Sequence, residues 1–295
     1  MIIDIKYHIA SIVAVFLALG VGILVGSGMV RDSVLIEQQE RIIDRLELDF
    51  AELRASRDDL HARLAMAERL LAASFRFEEE ACTRLASGKL LGKRVAAIAS
   101  GDGMSRENID RVCRAIENAG GTVTLVMHVC KRLEPVSSDE AKEVALACGI
   151  AETSPQAVRG AAAEALALCA AFGEVSPCVS ALATLGYVTL DRDAPGRTDA
   201  VIVAGGSQDP AADAMHVDIP IVRALRKMGV ATIGIEAADV RFSYIKDYKR
   251  EGIATVDCAD TPLGRLSLIY ALAGGWGHFG IKDTAESLVP NVFPR

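Results

Sequence analysis

The sequence predicts a membrane-attached α/β protein in three parts: a transmembrane helix, a long coiled-coil helix, and a Rossmann-like or flavodoxin-like body with a largely parallel sheet. Three observations predict this fold class. A long uncharged run lies near the start of the chain, a heptad-patterned charged segment follows it, and strand and helix patterns then alternate to the end. We therefore expect an anchor at residues 1–30, a stalk at 31–88 and an α/β domain at 89–295.

The uncharged run Ile9–Val30 is long enough to cross a membrane as a helix. About 20 apolar residues span the ~30 Å hydrocarbon core, whereas the apolar part of a secretory signal needs about 7–15. No A-x-A-like cleavage triplet follows, and Gly26, Ser27 and Gly28 are a weak substitute. We predict an uncleaved, single-pass membrane helix; a removed signal peptide is the alternative.

Small residues recur every four positions within this run. They begin at Ala10 and form a stripe for membrane packing at Ala14, Ala18, Gly22 and Gly26. Such a face lets two helix backbones approach closely in lipid, where the hydrophobic effect cannot drive association. The stripe favours self-association, although glycine and alanine are also common in membrane helices generally.

The segment from Asp32 to Ser87 contains neither proline nor glycine, so one helix can run through it unbroken. Its apolar residues alternate at spacings of three and four, which is typical of a coiled coil, and Arg57 interrupts the series. The alternative is a long amphipathic helix packed on its own domain. The membrane stripe favours pairing between chains, so we expect a homodimer. The seam consists of Ile43, Leu46, Phe50, Leu53, Leu60, Leu64 and Leu71.

After Gly88 the pattern alternates between short apolar strands and amphipathic helices, as in βαβ units. This alternation predicts a largely parallel sheet covered by helices. The predicted strands are 93–100, 122–129, 200–204, 230–235 and 252–257, and the predicted helices are 105–119, 138–149, 154–172, 219–228 and 262–273.

Net charge and cysteine content argue against nucleic-acid binding and against a disulfide framework. The net charge is −7 and no basic block occurs, which argues against a nucleic-acid partner. The seven cysteines are odd in number and scattered, without a C-x-x-C pair. We therefore expect small buried side chains with free thiols rather than a disulfide framework.

A ligand site in such a sheet would lie beyond the carboxyl ends of the strands, at the loops 101–103 and 205–207. Neither loop matches a dinucleotide-binding or phosphate-binding glycine motif, and glycines after a strand are usually just tight turns. No catalytic triad, Cys-His pair or carboxylate pair can be identified by spacing. We therefore expect no enzymatic activity; an enzyme that binds a small molecule at these loops is the alternative.

Two groups of side chains are candidate metal ligands. His128 and Cys130 share one face of the second predicted strand, and imidazole and thiolate groups suit soft ions such as Cu(I). A core strand with a hydrogen-bonded histidine is the alternative. A second, acidic group suits either a hard cation or a solvated loop, and comprises Asp209, Asp213, His216 and Asp218.

The two ends of the chain carry a family resemblance. The tail has TVDCADTPLG at 255–264, LIYALAGG at 268–275 and GHFG at 277–280; the start has YHIAS at 7–11 and FLALGVGILVGS at 16–27. These segments resemble the mycobacterial copper transport protein B family, as does the order of anchor, coiled coil and α/β body. The resemblance implies a membrane-attached cell-envelope protein in copper transport or copper homeostasis, and copper as its ligand.

An alternative function is a non-enzymatic dimeric scaffold or regulator of cell-envelope or division machinery, acting through the coiled coil on a partner protein. The tail motif itself has a structural interpretation. Asp257, Asp260 and Thr261 suit the N-terminal cap of the helix that begins at Pro262, and the glycines at 274–280 suit a compact turn holding His278.

The orientation of the body is set by opposing signals. Lys6 precedes the anchor whereas Arg31, Arg41 and Arg45 follow it, and this count of positive charges places the body in the cytoplasm. Free cysteines agree with that placement. The short N-terminal tail and the family resemblance favour the opposite, and we expect an extracytoplasmic body.

Overall fold

The computed structural model describes residues 5–135, 137–193 and 196–290, with side chains apart from those of residues 5, 28–37, 192 and 193. The predicted anchor and body also include residues 1–4 and 291–295, which lie outside the described residues. The chain divides into two compact units, Met1–Ala72 and Ala73–Arg295. The helices are α1 (Ile5–Ala86), α2 (Arg106–Asn118), α3 (Ser138–Ala147), α4 (Pro155–Phe172), α5 (Pro177–Thr184), α6 (Asp218–Lys227), α7 (Ile245–Arg250) and α8 (Pro262–Leu272).

The first unit consists of the N-terminal part of α1. Its segment Lys6–Ser27 is long and apolar enough to cross a membrane, with a mean hydropathy of 2.7 and no buried residues. The helix continues without a break through the predicted stalk, as the absence of proline and glycine indicates. The apolar N-terminal helix is thus confirmed, whereas its pairing as a coiled coil stays a prediction.

The second unit is built on a seven-stranded sheet, flanked by helices. Its order is β3-β2-β1-β4-β5-β6-β7, so β2 and β3 extend the sheet on one side of β1 and β4 to β7 extend it on the other. All neighbouring pairs are parallel except β2 and β3. The predicted mostly parallel sheet is therefore confirmed. The strands are β1 (Arg94–Ser100), β2 (Thr122–Val129), β3 (Val188–Asp193), β4 (Ala200–Ala204), β5 (Ala231–Ile235), β6 (Ala254–Val256) and β7 (His278–Phe279).

The sheet has a hydrophobic core on each face. Side chains of a strand point alternately to the two faces, and along β1 Ala96 and Ile98 join one core while Val95 and Ala99 join the other. Both faces of the central strands are buried, which explains why they read as continuous apolar runs rather than as alternating patterns.

Side-chain caps fix where several helices begin. Ser154 caps α4 and Thr261 caps α8, each accepting a backbone N–H with proline in the first turn, and the sequence predicts the second of these caps. The expected capping by Asp257 and Asp260 is wrong. Asp257 accepts from the amides of Ile281 and Lys282, and Asp260 accepts from that of Ala238, because both carboxylates face neighbouring loops.

The cysteines are not all thiols, contrary to expectation. Cys148, directly after α3, forms a disulfide with Cys178 in the first turn of α5. Their Cα atoms are 4.6 Å apart although 30 positions separate them in the chain. The spacing of cysteines in the sequence cannot reveal this pair, because the packing of α3 on α5 creates it. Cys82, Cys113, Cys169 and Cys258 are buried, as expected.

Replacing Cys178 by alanine should lower the free energy of unfolding by about 2–4 kcal/mol, because the disulfide restricts the unfolded chain. Urea unfolding of the oxidised protein measures this loss. A reductant should bring the wild type down to the stability of Cys178→Ala and leave the variant unchanged. A wild type insensitive to reductant would contradict the assignment.

Candidate functional site

The sheet is extended in opposite directions from the neighbouring strands β1 and β4. A cavity of about 400 Å³ opens at the carboxyl ends of these two strands. This is the position at which parallel α/β sheets bind ligands. We call the cavity the switch-point crevice. Its lining is Ser100, Gly101, Asp102, Val129, Cys130, Lys131, Arg132, Ser207, Asp209, Ala212, Asp213, Val217, Asp218 and Tyr244.

The two glycine loops beside the crevice are packed against protein rather than left open for a cofactor. A Cβ at Gly103 would lie 2.3 Å from the carbonyl oxygen of Gly206. A Cβ at Gly205 would lie 2.1 Å from the Tyr248 hydroxyl and 2.2 Å from Oδ2 of Asp218. These glycines are therefore needed for close approach of neighbouring groups, which is a further role besides the tight turns that the sequence suggests.

Asp102 holds the β1 loop to the β4 loop. Its Oδ1 accepts the hydroxyl of Ser207 at 2.6 Å and the backbone amide of Gln208 at 3.1 Å. The hydrogen bond from Ser207 lowers the pKa of the Asp102 carboxyl, and burial opposes this only in part. The Asp102 carboxylate thus connects the two loops through hydrogen bonds.

Asp218 is the most unusual carboxyl of the crevice, because it is only 1% exposed. The Tyr248 hydroxyl donates to its Oδ2, while Oδ1 has no hydrogen-bond partner within the described part of the chain. Burial raises the pKa of Asp218 to about 6, opposed by the neighbouring hydroxyls of Ser100 and Tyr248. Burial also raises the pKa of Tyr244, so its phenol remains a hydrogen-bond donor.

The predicted metal pair lies at the end of β2, with only Cys130 lining the crevice. Nε2 of His128 is 3.0 Å from the Asp191 carboxylate, which also pairs with Arg106 at 3.1 Å. Burial, and then the charge of Arg106, lowers the pKa of His128. The Cys130 thiol donates to the carbonyl of His128 at 3.7 Å. Copper binding by His128 and Cys130 stays a prediction.

The acidic group is divided among separate local roles. Asp209 accepts the Ala211 amide, and Asp213 accepts the Met215 amide, both at 2.9 Å. Only His216 and Asp213 of the predicted group pair with each other: Nδ1 of His216 is 3.7 Å from Oδ2 of Asp213, and its Nε2 is 3.6 Å from the Glu134 carboxylate. Within residues 5–135, 137–193 and 196–290, no group of three or more His, Cys, Asp or Glu side chains is placed to hold a metal ion.

The tail motif forms the edge of the sheet. His278 is in β7, paired with β6, and its Nδ1 is 2.9 Å from the hydroxyl of Thr255. The expected compact turn around His278 is therefore replaced by a strand. Beyond it, Nζ of Lys282 lies 2.6 Å from Oε1 of Glu236, which is fully buried at the end of β5. The tail thus completes the sheet and neutralises a buried acid.

The predicted packing residues of α1 are exposed in the single chain. The seam side chains defined above are 48–66% exposed, and the stripe residues Ala14, Ala18, Gly22 and Gly26 are exposed as well. A Cβ added at Gly22 or Gly26 would meet nothing within 4 Å. Association through either surface stays a prediction.

Sequence reasoning named Asp218 only as a member of an acidic group for a hard cation or a solvated loop and missed its burial, and it missed Glu236 altogether. Asp218 lies in the first turn of α6. An acidic residue there is usually solvated and stabilises the helix through its dipole, so its position gives no sign of burial. The sequence signal for Glu236 is its position directly after an apolar strand, because residues at the carboxyl ends of parallel strands are the usual site residues of such a sheet.

Comparison with known proteins gives a match over nearly the whole chain. A family model described as "Copper transport outer membrane protein, MctB" matches residues 2–290. Proteins named "Copper transporter MctB" from Mycobacterium bovis and from two strains of Mycobacterium tuberculosis are 26% identical over 320 residues. The alignment covers 97% of this chain and 98% of each relative. The resemblance inferred from the two chain ends is confirmed.

Proposed function

This chain belongs to the family of copper transport outer membrane proteins, MctB, and we propose that it takes part in copper transport as a non-enzymatic, membrane-anchored homodimer. The observation that carries the proposal is the exposed apolar seam on α1, which begins at Ile43 on the same unbroken helix as the apolar segment Lys6–Ser27. The proposal assigns the function to an assembly of chains rather than to one chain.

A single spanning helix has no lumen, so a role in transport requires further copies or a partner. The small-residue stripe supports further copies, because glycine and alanine at spacing four permit close backbone contact in lipid. Anchors inserted in the same membrane place both stalks side by side with their N-termini together. A parallel pairing of stalks is therefore proposed.

The exposed seam supports pairing in water. Burial of apolar surface stabilises by roughly 25 cal/mol per Å², and large apolar side chains along one face remain uncovered in a single chain. Arg57 occupies a seam position, where its guanidinium pairs with the adjacent Asp58 carboxylate at 2.8 Å. A charged seam residue weakens a coiled coil and can fix its register.

An extracytoplasmic body is part of the proposal. The Cys148–Cys178 disulfide supports it, because disulfides persist in oxidising compartments and are rare in the cytosol. The description of the family as outer membrane proteins supports it too. The arginines after the anchor remain the opposing signal, although long domains translocate largely regardless of charge.

A scaffold or regulator of cell-envelope or division machinery is the second candidate function. It is favoured by the exposed seam and by the scattering of candidate copper ligands, since Cu(I) normally needs two or three converging soft groups. His128 and Cys130 each have a protein partner instead: the His128 ring faces the Asp191 carboxylate, and the Cys130 thiol donates to the His128 carbonyl. The two functions share the homodimer and differ in whether loss of the protein changes cellular copper.

Sedimentation of the full chain in detergent tests the homodimer. Leu53→Glu with Leu60→Glu should raise the dissociation constant at least about a hundredfold, because four apolar side chains per dimer lose their partners. Arg57→Leu should lower it. The matched control is Leu48→Glu with Met66→Glu, which adds the same charges to exposed apolar positions outside the seam.

The control pair should sediment as the wild type does. A wild type that remains monomeric well above about 1 μM would remove the homodimer from the proposal. Equal dissociation of the seam and control variants would remove the seam as its interface.

A further inference from the structure

Two charged side chains beside the apolar seam of α1 have no partner within a single chain. Asp49 directly precedes the seam residue Phe50, on one side of the seam. Arg54 directly follows the seam residue Leu53, on the other side. Both side chains are exposed, and neither forms an ion pair or a side-chain hydrogen bond within the described part of the chain. They are therefore available to a second helix that packs on the seam.

A second pair of opposite charges lies two heptads later. Arg63 directly precedes the seam residue Leu64, and Glu68 occupies the same heptad position as Arg54. Arg63 contacts Asp59 of its own chain at 2.9 Å with 77% of its side chain exposed. Glu68 is exposed and has no ion pair among the residues that the structure describes. In both pairs the second residue lies five positions after the first, which is the offset at which flanking residues of two parallel, in-register coiled-coil helices meet.

Other registers lose these contacts between opposite charges. A shift of one heptad in one direction places Asp49 beside Glu47 of the second copy, and Arg63 beside its His61. A shift in the other direction places Asp49 beside His61 and Arg63 beside Phe75. The in-register arrangement brings an acid and a base together at both places, and like-charge contacts disfavour the alternative.

Arg57, which interrupts the seam, favours the same register. In-register pairing confines both copies of Arg57 to one layer of the coiled coil. A shift of one heptad would set one Arg57 against Leu64 and the other against Phe50, which places a charge in two apolar layers. A hollow of about 480 Å³ beside Arg57, with Leu53, Leu60 and Leu64 in its lining, can receive side chains of the second copy.

We propose that two copies of this chain pair along α1 in register, with Asp49 of each copy bonded to Arg54 of the other, and Arg63 of each bonded to Glu68 of the other. The pairing rests on the proposed homodimer and adds its register and its selectivity. A partner helix must present complementary charges at these four positions, as a second copy does.

Reversal and exchange of charges test the ion pairs, by sedimentation of the full chain in detergent at low salt. Asp49→Arg and Arg54→Glu should each raise the dissociation constant about tenfold, because two attractive contacts per dimer become repulsive. The two changes together should bring it back to within about threefold of the wild type. The matched control is Glu52→Arg, which reverses an exposed charge on the outer face of the helix and should leave the dissociation constant unchanged.

These measurements separate the ion pairs from the homodimer itself. A wild type that stays monomeric would remove both. A dimeric wild type with single variants equal to Glu52→Arg, or with a double variant as weak as the single ones, would overturn the ion pairs and leave the homodimer in place.

Cross-linking tests the register without changing any charge. Cys130→Ser first removes the exposed thiol found among the described residues, and Leu53→Cys and Leu60→Cys are then made in separate chains. Because identical seam positions face each other in register, within disulfide reach, a mixture of the two chains should cross-link only between identical chains. Disulfides between a Leu53→Cys chain and a Leu60→Cys chain would place the copies one heptad out of register and overturn the proposal.

Discussion

Replacing Gly280 by alanine should destabilise the α/β body by about 4 kcal/mol or more, the largest loss expected from any single substitution discussed for this chain. A Cβ at Gly280 would lie 1.8 Å from Oδ1 and 2.1 Å from Cγ of Asp257, a buried side chain. That same Oδ1 accepts the Ile281 amide at 2.8 Å, and Oδ2 accepts the Lys282 amide at 3.2 Å. The substitution therefore displaces a buried carboxylate from its donors.

Gly274→Ala is the matched control for backbone strain. Gly274 also has a positive φ, +112° against +146° at Gly280, but a Cβ there would meet nothing within 4 Å. Its cost should be about 1–2 kcal/mol, from conformation alone. Urea unfolding of the two variants compares them. Equal losses would show that contact with Asp257 does not hold the tail in place.

Replacing Lys282 by methionine should lower the free energy of unfolding by about 3–5 kcal/mol, because it leaves a buried acid without its counter-charge. Glu236 is fully buried and accepts from Nζ of Lys282 at 2.6 Å, from the Ser243 hydroxyl at 2.8 Å and from the Tyr244 amide at 3.1 Å. Burial raises the pKa of Glu236 even with Lys282 present, and Lys282 is the main opposing influence.

The loss in Lys282→Met should depend on pH. Without Lys282 the pKa of Glu236 in the folded state rises further, so the folded variant binds a proton more readily than the unfolded chain does. The variant should therefore recover part of its stability as the pH falls, and lose it again as the pH rises.

Two further variants separate the ion pair from general effects on the tail. Glu236→Gln added to Lys282→Met should restore most of the loss, because no charge is then buried. Lys249→Met should cost only about 1 kcal/mol, since Lys249 contacts the largely exposed Glu286 at 3.5 Å and donates one hydrogen bond, to the Thr284 carbonyl at 2.9 Å. A pH-independent loss in Lys282→Met, or no recovery with Glu236→Gln, would contradict the burial of an ionised Glu236.

The central strands could be predicted from sequence because burial on both faces leaves a plain apolar signal. The predicted strands 122–129 and 200–204 agree with β2 and β4 residue for residue. β3 was missed because its Asp191 and Asp193 interrupt the apolar pattern at an antiparallel edge. β7 was missed because two residues between glycines carry no periodicity.

The position of the candidate site could be predicted, but its chemistry could not. Strand order alone places a crevice beside the loops 101–103 and 205–207. The burial of Asp218 depends on Tyr248, which lies on a different helix 30 positions later. The Cys148–Cys178 disulfide likewise depends on how two helices pack. Such contacts between distant residues leave no local pattern.

The central claim is that copper transport depends on an anchored pair of chains rather than on a copper site within one chain. The copper content of cells of the source organism tests it most directly, measured by mass spectrometry after deletion of the gene and complementation with variants. Wild type and His128→Ala with Cys130→Ser should both restore the wild-type copper content. Leu53→Glu with Leu60→Glu, and a chain of residues 31–295 without the anchor, should not. Full restoration by the seam variant, or failure of the His128 and Cys130 variant alone, would contradict the claim.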